Sequence, residues 1–92
     1  MHYTVTYRHL PRSLFLEEKL AHALSRYPGG ARAAHVVFSR EGRATAVSCH
    51  LTGPRLDLFV RERGADLYTV LDDVGRRLSR LGRKILKQRA SS

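Results

Sequence analysis

The sequence predicts an α+β single domain of order β-α-β-β-β-α, a four-stranded mixed sheet with two helices packed on one face. Three observations predict this class. The chain has 92 residues, which is enough for one hydrophobic core. Several short segments alternate apolar and polar residues, as half-buried strands do. A long segment near the C-terminus instead repeats its apolar residues with the period of an α-helix.

The first strand and the first helix are predicted from alternation and from helix-capping residues. Residues 3–7 alternate threonine with tyrosine or valine, which is typical of a half-buried strand. Pro11 interrupts this pattern, and Ser13 is a suitable N-cap for a helix that runs through Tyr27. The Pro-Gly-Gly sequence at 28–30 predicts its end. The inward stripe of this helix comprises Leu16, Leu20, Ala23, Leu24 and Tyr27.

Three further strands are predicted over about 34–39, 44–52 and 55–62, with turns at Glu41-Gly42 and Gly53-Pro54. A loop of Gly53 and Pro54 fixes the register of the last hairpin. The apolar pairs would then be Leu51 with Leu56, Cys49 with Leu58, and Val47 with Val60. On the other face, His50 would meet Asp57 and Ser48 would meet Phe59. Apolar residues face apolar residues in this register, as a one-sided sheet requires.

The positive charge is concentrated at one end of the chain. The net charge is +9, yet residues 1–75 contain ten bases and eight acids. Residues 76–92 contain no acid. Their seven bases are Arg76, Arg77, Arg80, Arg83, Lys84, Lys87 and Arg89. Such an excess predicts a polyanionic partner, with nucleic acid favoured over an anionic membrane surface.

A long last helix places these bases opposite an apolar stripe. The stripe comprises Leu67, Val70, Leu71, Val74, Leu78, Leu81 and Ile85. All the bases except Arg89 fall on the opposite arc at about 100° per residue. Asp72 and Asp73 stand four residues before Arg76 and Arg77, a favourable spacing for exposed ion pairs. The later bases have no acid within four residues, which favours an anion-binding face over a merely solvated one.

Several other classes of function are not supported by the sequence. The single cysteine, Cys49, excludes an internal disulfide and favours a reducing cytosol. The sequence shows no signal peptide, no membrane-spanning run, no glycine-rich phosphate loop and no metal-ligand spacing among its histidines. His50 and Asp57 have no nucleophile beside them and are interpreted as a cross-strand pair. We therefore expect no enzyme activity, no cofactor and no small-molecule substrate.

Four segments resemble one protein family. Gly64-Ala65-Asp66-Leu67-Tyr68 resembles the Gly-x-Asp-Met-Tyr signature of the bacterial ribosome hibernation promoting factors, also called ribosome-associated inhibitors or sigma-54 modulation proteins. The following segment, 69–72, keeps the apolar pattern of that family. Arg8-His9-Leu10 with Ser13 resembles its first strand-to-helix junction, and the segment 24–27 resembles the end of its first helix. The resemblance covers essentially the whole chain.

The resemblance implies a bacterial, cytoplasmic protein of stationary phase and stress that binds the small ribosomal subunit and its rRNA. Such a protein occupies the channel for mRNA and tRNA, competes with both, and stops translation. It implies the short form: a single ribosome-binding domain over 1–92, without a C-terminal dimerisation domain, monomeric off the ribosome, with a short disordered tail at 90–92. The candidate RNA-binding residues are Arg76, Arg77, Arg80, Arg83, Lys84, Lys87, Arg8 and Tyr68.

The sequence also departs from the family pattern and leaves an alternative open. Arg12 stands where an apolar residue usually precedes the helix cap. Gly75 and Gly82 lie inside the last helix, where close approach of the first helix would explain them. A general double-stranded-RNA-binding module shares the α-β-β-β-α part of the fold, but it places its lysines at the start of the last helix. Here that start, 66–73, is acidic. A membrane-surface helix is a third, weaker interpretation.

Overall fold

The computed structural model describes residues 2–27 and 30–90, and these ranges form a sheet of four strands and two α-helices. The elements are β1 (His2–Arg8), α1 (Leu14–Ser25), β2 (Ala33–Glu41), β3 (Ala44–Gly53), β4 (Leu56–Gly64) and α2 (Leu67–Ala90). The strands lie side by side in the order β1-β2-β3-β4. β1 runs parallel to β2, and the other neighbours are antiparallel. The predicted fold class and element order are confirmed.

One apolar cluster joins both helices to one face of the sheet. The strands contribute the alternating residues Ala34, Val36, Phe38, Val47, Cys49, Leu51 and Val60. The inward stripe predicted for α1 is completely buried. The contribution of α2 to the cluster comprises the buried residues Val70, Leu71, Val74 and Leu78. Tyr7 of β1 stacks on Phe38, with 5.3 Å between ring centroids. Because the strands alternate in and out, their polar residues form a second face that neither α1 nor α2 covers.

The start of α1 combines the predicted cap with an ion pair. The backbone N–H of Leu16 donates to Ser13 Oγ at 3.2 Å, which confirms the N-cap. Arg12, at the position where the family has an apolar residue, instead pairs its Nε with Glu17 Oε2 at 3.1 Å. The Tyr7 hydroxyl lies within hydrogen-bond distance of the same Glu17 oxygen, at 3.0 Å. Burial raises the pKa of Tyr7, so this phenol stays protonated.

Two predicted helix ends differ from the structure. α1 ends at Ser25 rather than at Tyr27, although Tyr27 is only 6% exposed and still belongs to the core. Residues 28–29 of the predicted Pro-Gly-Gly stop lie outside the described residues. α2 includes Ala90, so a disordered tail from 90 is wrong at that residue, and 91–92 also lie outside the described residues. No helix in the described part of the chain is long and apolar enough to span a membrane.

The predicted register of the β3–β4 hairpin is wrong by two residues. Leu51 pairs with Leu58 and Cys49 pairs with Val60. The loop is Pro54-Arg55, and Arg55 adopts a left-handed φ of 61°. Side chains alternate with a period of two, so a shift of two keeps every residue on its predicted face. On the uncovered face, His50 pairs with Phe59 but still hydrogen-bonds Asp57 through Nε2, now on the diagonal.

Candidate nucleic-acid interface

The signature segment that resembles the hibernation factors sets the position where α2 begins. Asp66 is its N-cap: Asp66 Oδ2 accepts from the Thr69 hydroxyl at 2.8 Å and from the Thr69 backbone N–H at 3.3 Å. The Thr69 side-chain hydrogen bond lowers the pKa of Asp66, because the bond favours the carboxylate. A Cβ at Gly64 would lie only 3.0 Å from Val70 Cγ2, so a side chain there would require the Val70 side chain of α2 to shift.

Close packing against α1 holds α2 along its first half. A Cβ at Gly75 would lie 3.3 Å from the Cβ of Ala23 and 3.3 Å from a guanidinium nitrogen of Arg26. The predicted reason for this glycine, close approach of α1, is therefore confirmed. Gly82 is also buried, but close approach as its reason stays a prediction.

The apolar stripe of α2 turns its cations outward. Leu67, Leu81 and Ile85 are half-buried beside the fully buried members of the stripe. The six predicted cations of the opposite arc are exposed: Arg76, Arg77, Arg80, Arg83, Lys84 and Lys87. We call these six residues the cationic stripe. Their outward position follows from the opposition of the two arcs, so this part of the sequence prediction agrees with the structure.

The first two cations of the cationic stripe are engaged in ion pairs. Arg76 pairs with Asp73 one turn earlier, at 2.5 Å. Arg77 does not pair with Asp73, as its spacing suggested, but with Glu62 on β4 at 3.0 Å. These pairs tie the helix to itself and to the edge of the sheet. Both are largely exposed, so each contributes less than about 1 kcal/mol to stability.

The next three cations have no such partner. Among residues 2–27 and 30–90, no carboxylate forms an ion pair with Arg80, Arg83 or Lys84. Arg83 and Lys84 follow Arg80 by three and four positions, so both lie next to Arg80 on the helix surface and repel it. Uncompensated like charge on a rigid helix creates a local positive potential that attracts polyanions. Within the described residues, this part of the cationic stripe is therefore the strongest candidate on α2 for a surface that binds anions.

The structure does not bring the remaining candidates together with the cationic stripe. Arg8 ends β1 and faces the uncovered side of the sheet, opposite α2. Tyr68 lies in the first turn of α2, about 18 Å along the helix axis from Arg80 at 1.5 Å per residue. An RNA contact by either residue stays a prediction, and it would belong to a separate part of the surface.

Two exposed aromatic sites were missed by sequence reasoning. Phe15 is 54% exposed, and its ring meets Tyr68 edge-on at 5.5 Å between centroids. Lys19 Nζ lies within 5.8 Å of both ring centroids, a cation–π contact. On the uncovered sheet face, Phe59 is 61% exposed. Phe15 lies outside the inward stripe of α1, and Phe59 lies on the face of β4 that points away from the core. The periodicity of the sequence could therefore have identified both as exposed aromatic residues.

Three other titratable groups, Cys49, His50 and Asp57, were considered for chemistry in the sequence, and the structure gives their surroundings. Burial raises the pKa of Cys49 to about 12, so the thiol is protonated at neutral pH and is a poor nucleophile. The exposed pair His50 and Asp57 forms as the sequence predicted, although their strand positions are diagonal. Within the described residues, no three histidine, cysteine or acidic side chains converge as metal ligands.

Comparison of the sequence with protein-family models gives no match, and comparison with curated proteins gives none either. Solved structures do match. A ribosomal subunit interface protein from Coxiella burnetii superposes with a TM-score of 0.85 at 19% identity, covering 95% of this chain and 99% of that one. The N-terminal domain of Protein Y from Thermus thermophilus gives a TM-score of 0.79 at 24% identity, covering 92% and 99%. This chain therefore shares the complete fold of both proteins.

Proposed function

We propose that this protein is a ribosome hibernation factor that binds rRNA of the small ribosomal subunit through the cationic stripe. The observation that carries the proposal is the group Arg80, Arg83 and Lys84, which has no ion-pair partner among the described residues. Two further observations support it. The fold is shared with a protein named for the ribosomal subunit interface, and the segment 64–68 resembles the signature of the hibernation factors.

The proposed mechanism is occupancy of the channel for mRNA and tRNA. A basic domain with a rigid cationic helix can replace the counterions of rRNA, and the release of those counterions drives binding. Once seated, it excludes mRNA and tRNA by volume and charge, and it needs no chemical step. In this proposal residues 1–92 act as one ribosome-binding unit in the bacterial cytoplasm in stationary phase, monomeric until they reach the ribosome.

Co-sedimentation with purified small subunits tests the binding surface. Reversing Arg80, Arg83 and Lys84 to Glu should lower the affinity at least about a hundred-fold, because attraction to phosphates becomes repulsion. The matched control reverses Arg40, Arg43 and Arg55, which are exposed at the hairpin turns and change the net charge equally. Circular dichroism establishes that both variants fold. Equal losses in the two variants, or unchanged binding in the first, would refute the proposal.

Cell-free translation tests the mechanism. Inhibition should be complete near one protein per ribosome, and it should ease when initiation complexes are formed beforehand. Footprinting of small-subunit rRNA should show protection in the mRNA and tRNA channel. A general duplex-RNA module would bind any long RNA duplex equally well and would be displaced from subunits by it. The parallel strand β1, which precedes the α-β-β-β-α part, favours the ribosomal proposal over that alternative.

A further inference from the structure

The uncovered sheet face presents polar and aromatic side chains in rows across the strands. One row contains Thr4, His35, His50 and Phe59, in the order β1 to β4. The next row contains Thr6, Val37, Ser48 and Arg61. Between the rows and the ends of the strands lies a shallow cavity of about 310 Å³. Its lining includes Arg8, Ser39, Ser48, Phe59 and Arg61.

Phe59 is the most exposed aromatic side chain in the described part of the chain. Its ring meets the imidazole of His50 edge-on, with 6.3 Å between centroids. Asp57 holds that imidazole through its hydrogen bond to His50 Nε2. The edge contact fixes one side of the Phe59 ring and leaves much of its surface in solvent. A fixed aromatic ring on a sheet is a surface on which a nucleobase can stack.

The charged side chains around Phe59 have a small positive excess. Arg8, Arg61 and Arg63 carry positive charge on this face, and Glu41 and Asp57 carry the negative charge. Glu41 holds Arg61 at 2.5 Å and Arg63 at 3.7 Å. Arg61 stands two residues from Phe59 on the same face of β4, about 7 Å along the strand. Arg61 is therefore the next residue after Phe59 on this face of β4, and Arg8 lines the same cavity.

We propose that the uncovered sheet face is a second RNA site, where a base of single-stranded RNA stacks on Phe59 while Arg61 and Arg8 bind the adjacent phosphates. The site lies on the opposite side of the sheet from the cationic stripe, so one molecule can hold two RNA segments at once. The inference does not depend on ribosome binding, because a short RNA can test it directly.

The composition of the face favours RNA over a protein partner. Protein interfaces centre on several contiguous apolar side chains. Here Phe59 is the one exposed apolar side chain among the residues that line the cavity, because Val37 is half-buried and Ala46 is buried. Small hydroxyl and imidazole groups beside one exposed ring can hydrogen-bond the edges of a stacked base.

A tryptophan at position 59 gives a direct readout, because the chain contains no tryptophan. In Phe59→Trp, a short oligoadenylate should quench the indole fluorescence by stacking, and a duplex of the same length should not. The matched control is Phe15→Trp, a similarly exposed ring on the helical side. Quenching confined to position 59 supports the site. Absent quenching at position 59, equal quenching at both positions, or equal quenching by the duplex overturns it.

Affinity measurements with the same RNA separate stacking from charge. Phe59→Ala should weaken binding about ten-fold, while Phe59→Trp should retain it. Glu41→Gln should tighten binding a few-fold, because it releases the Arg61 and Arg63 guanidiniums for phosphate. Reversal of Arg80, Arg83 and Lys84 should leave the quenching at position 59 in place. Weaker RNA binding by Glu41→Gln would overturn the proposal. A dimer that is detected by sedimentation and abolished by Phe59→Ala would also overturn it, because the face would then bind a second copy of the chain.

Discussion

One apolar stripe runs along both halves of α2, but the cations of the two halves differ in whether they form ion pairs. In the first half, 67–77, the start is capped by Asp66 and both arginines pair with carboxylates. In the second half, 78–90, Arg80, Arg83 and Lys84 have no carboxylate partner within the described residues. The first half therefore uses charge to fix the helix, and the second half keeps charge available for a partner. Counting bases alone would not distinguish the two halves.

The largest expected difference between the halves lies in RNA affinity. Neutralising Arg80, Arg83 and Lys84 to Gln should reduce the slope of log affinity against log salt by about 2 to 3, since each lost phosphate contact removes about 0.7 to 0.9. Neutralising Arg76 and Arg77 should change the slope by less than about 1, because their charges are already paired. Subunit binding measured over a range of salt concentrations gives both slopes. Equal slope changes per removed charge would abolish the distinction.

Folding stability, in contrast to RNA affinity, should depend mainly on the first half of α2. Gly75→Leu should lower the free energy of unfolding by about 1 to 3 kcal/mol, because the added side chain must displace Ala23 of α1 and its C-cap residue Arg26. Arg76→Leu adds the same side chain at the neighbouring exposed position and should cost far less. Denaturant unfolding measures the difference, and alkylation of buried Cys49 provides a second readout. Slow alkylation in the wild type and faster alkylation in Gly75→Leu are expected. Similar stability of the two variants would contradict close packing at Gly75.

A smaller effect should distinguish the arginines themselves. Arg77→Ala removes the pair with Glu62 and should cost less than about 1 kcal/mol of folding free energy, because both side chains are partly exposed. Arg80→Ala should leave stability unchanged or raise it by a few tenths of a kcal/mol, because it relieves repulsion with Lys84. A double-mutant cycle of Arg77→Ala with Glu62→Ala isolates the pair. Zero coupling energy would show that Arg77 is as unpaired as Arg80.

The smallest effect concerns pH and the cap of α2. The pKa of Asp66 is lowered in the folded state by the Thr69 hydroxyl, so the unfolded chain binds more protons in acid. The contribution of the Asp66 carboxylate to folding stability is complete above the ordinary aspartate pKa of about 3.9. This contribution is lost as the pH falls through the lower pKa of the folded state. Thermal unfolding below about pH 4 should be less pH-dependent in Asp66→Asn, which keeps a neutral cap. The same pH dependence in both proteins would exclude this role.

The sequence was sufficient where a pattern repeats over several turns or strands. The period of α2 predicted its buried stripe and the outward cations, because a helix has one way to bury seven residues spaced by three and four. The alternation in β3 and β4 predicted the faces but not the register, because a shift of two residues leaves every face unchanged. The actual loop requires a left-handed arginine at position 55, which glycine-based turn rules do not anticipate.

Long-range pairings were beyond local reasoning. The partner of Arg77, Glu62, is fifteen positions away on β4, so a search within one helical turn selected Asp73 instead. Arg8 was a candidate RNA-binding residue beside the bases of α2, yet the alternation of β1 places it on the uncovered sheet face, away from the cationic stripe. The site on Phe59 depends on which strands are neighbours, and the incorrect register placed Ser48 rather than His50 beside that ring.

The parallel pairing of β1 has a consequence for the order in which the molecule folds. The β2–β3 and β3–β4 hairpins close through short turns, whereas His2 must meet Ala33 after the whole of α1 has been traversed. Long loops close at a higher entropic cost, and non-local contacts slow folding. We therefore expect the meander β2–β4 to form with the helices first and β1 to dock last. Arg8 would then complete the uncovered sheet face only in this final step, and amide protons of β1 should exchange before those of β3.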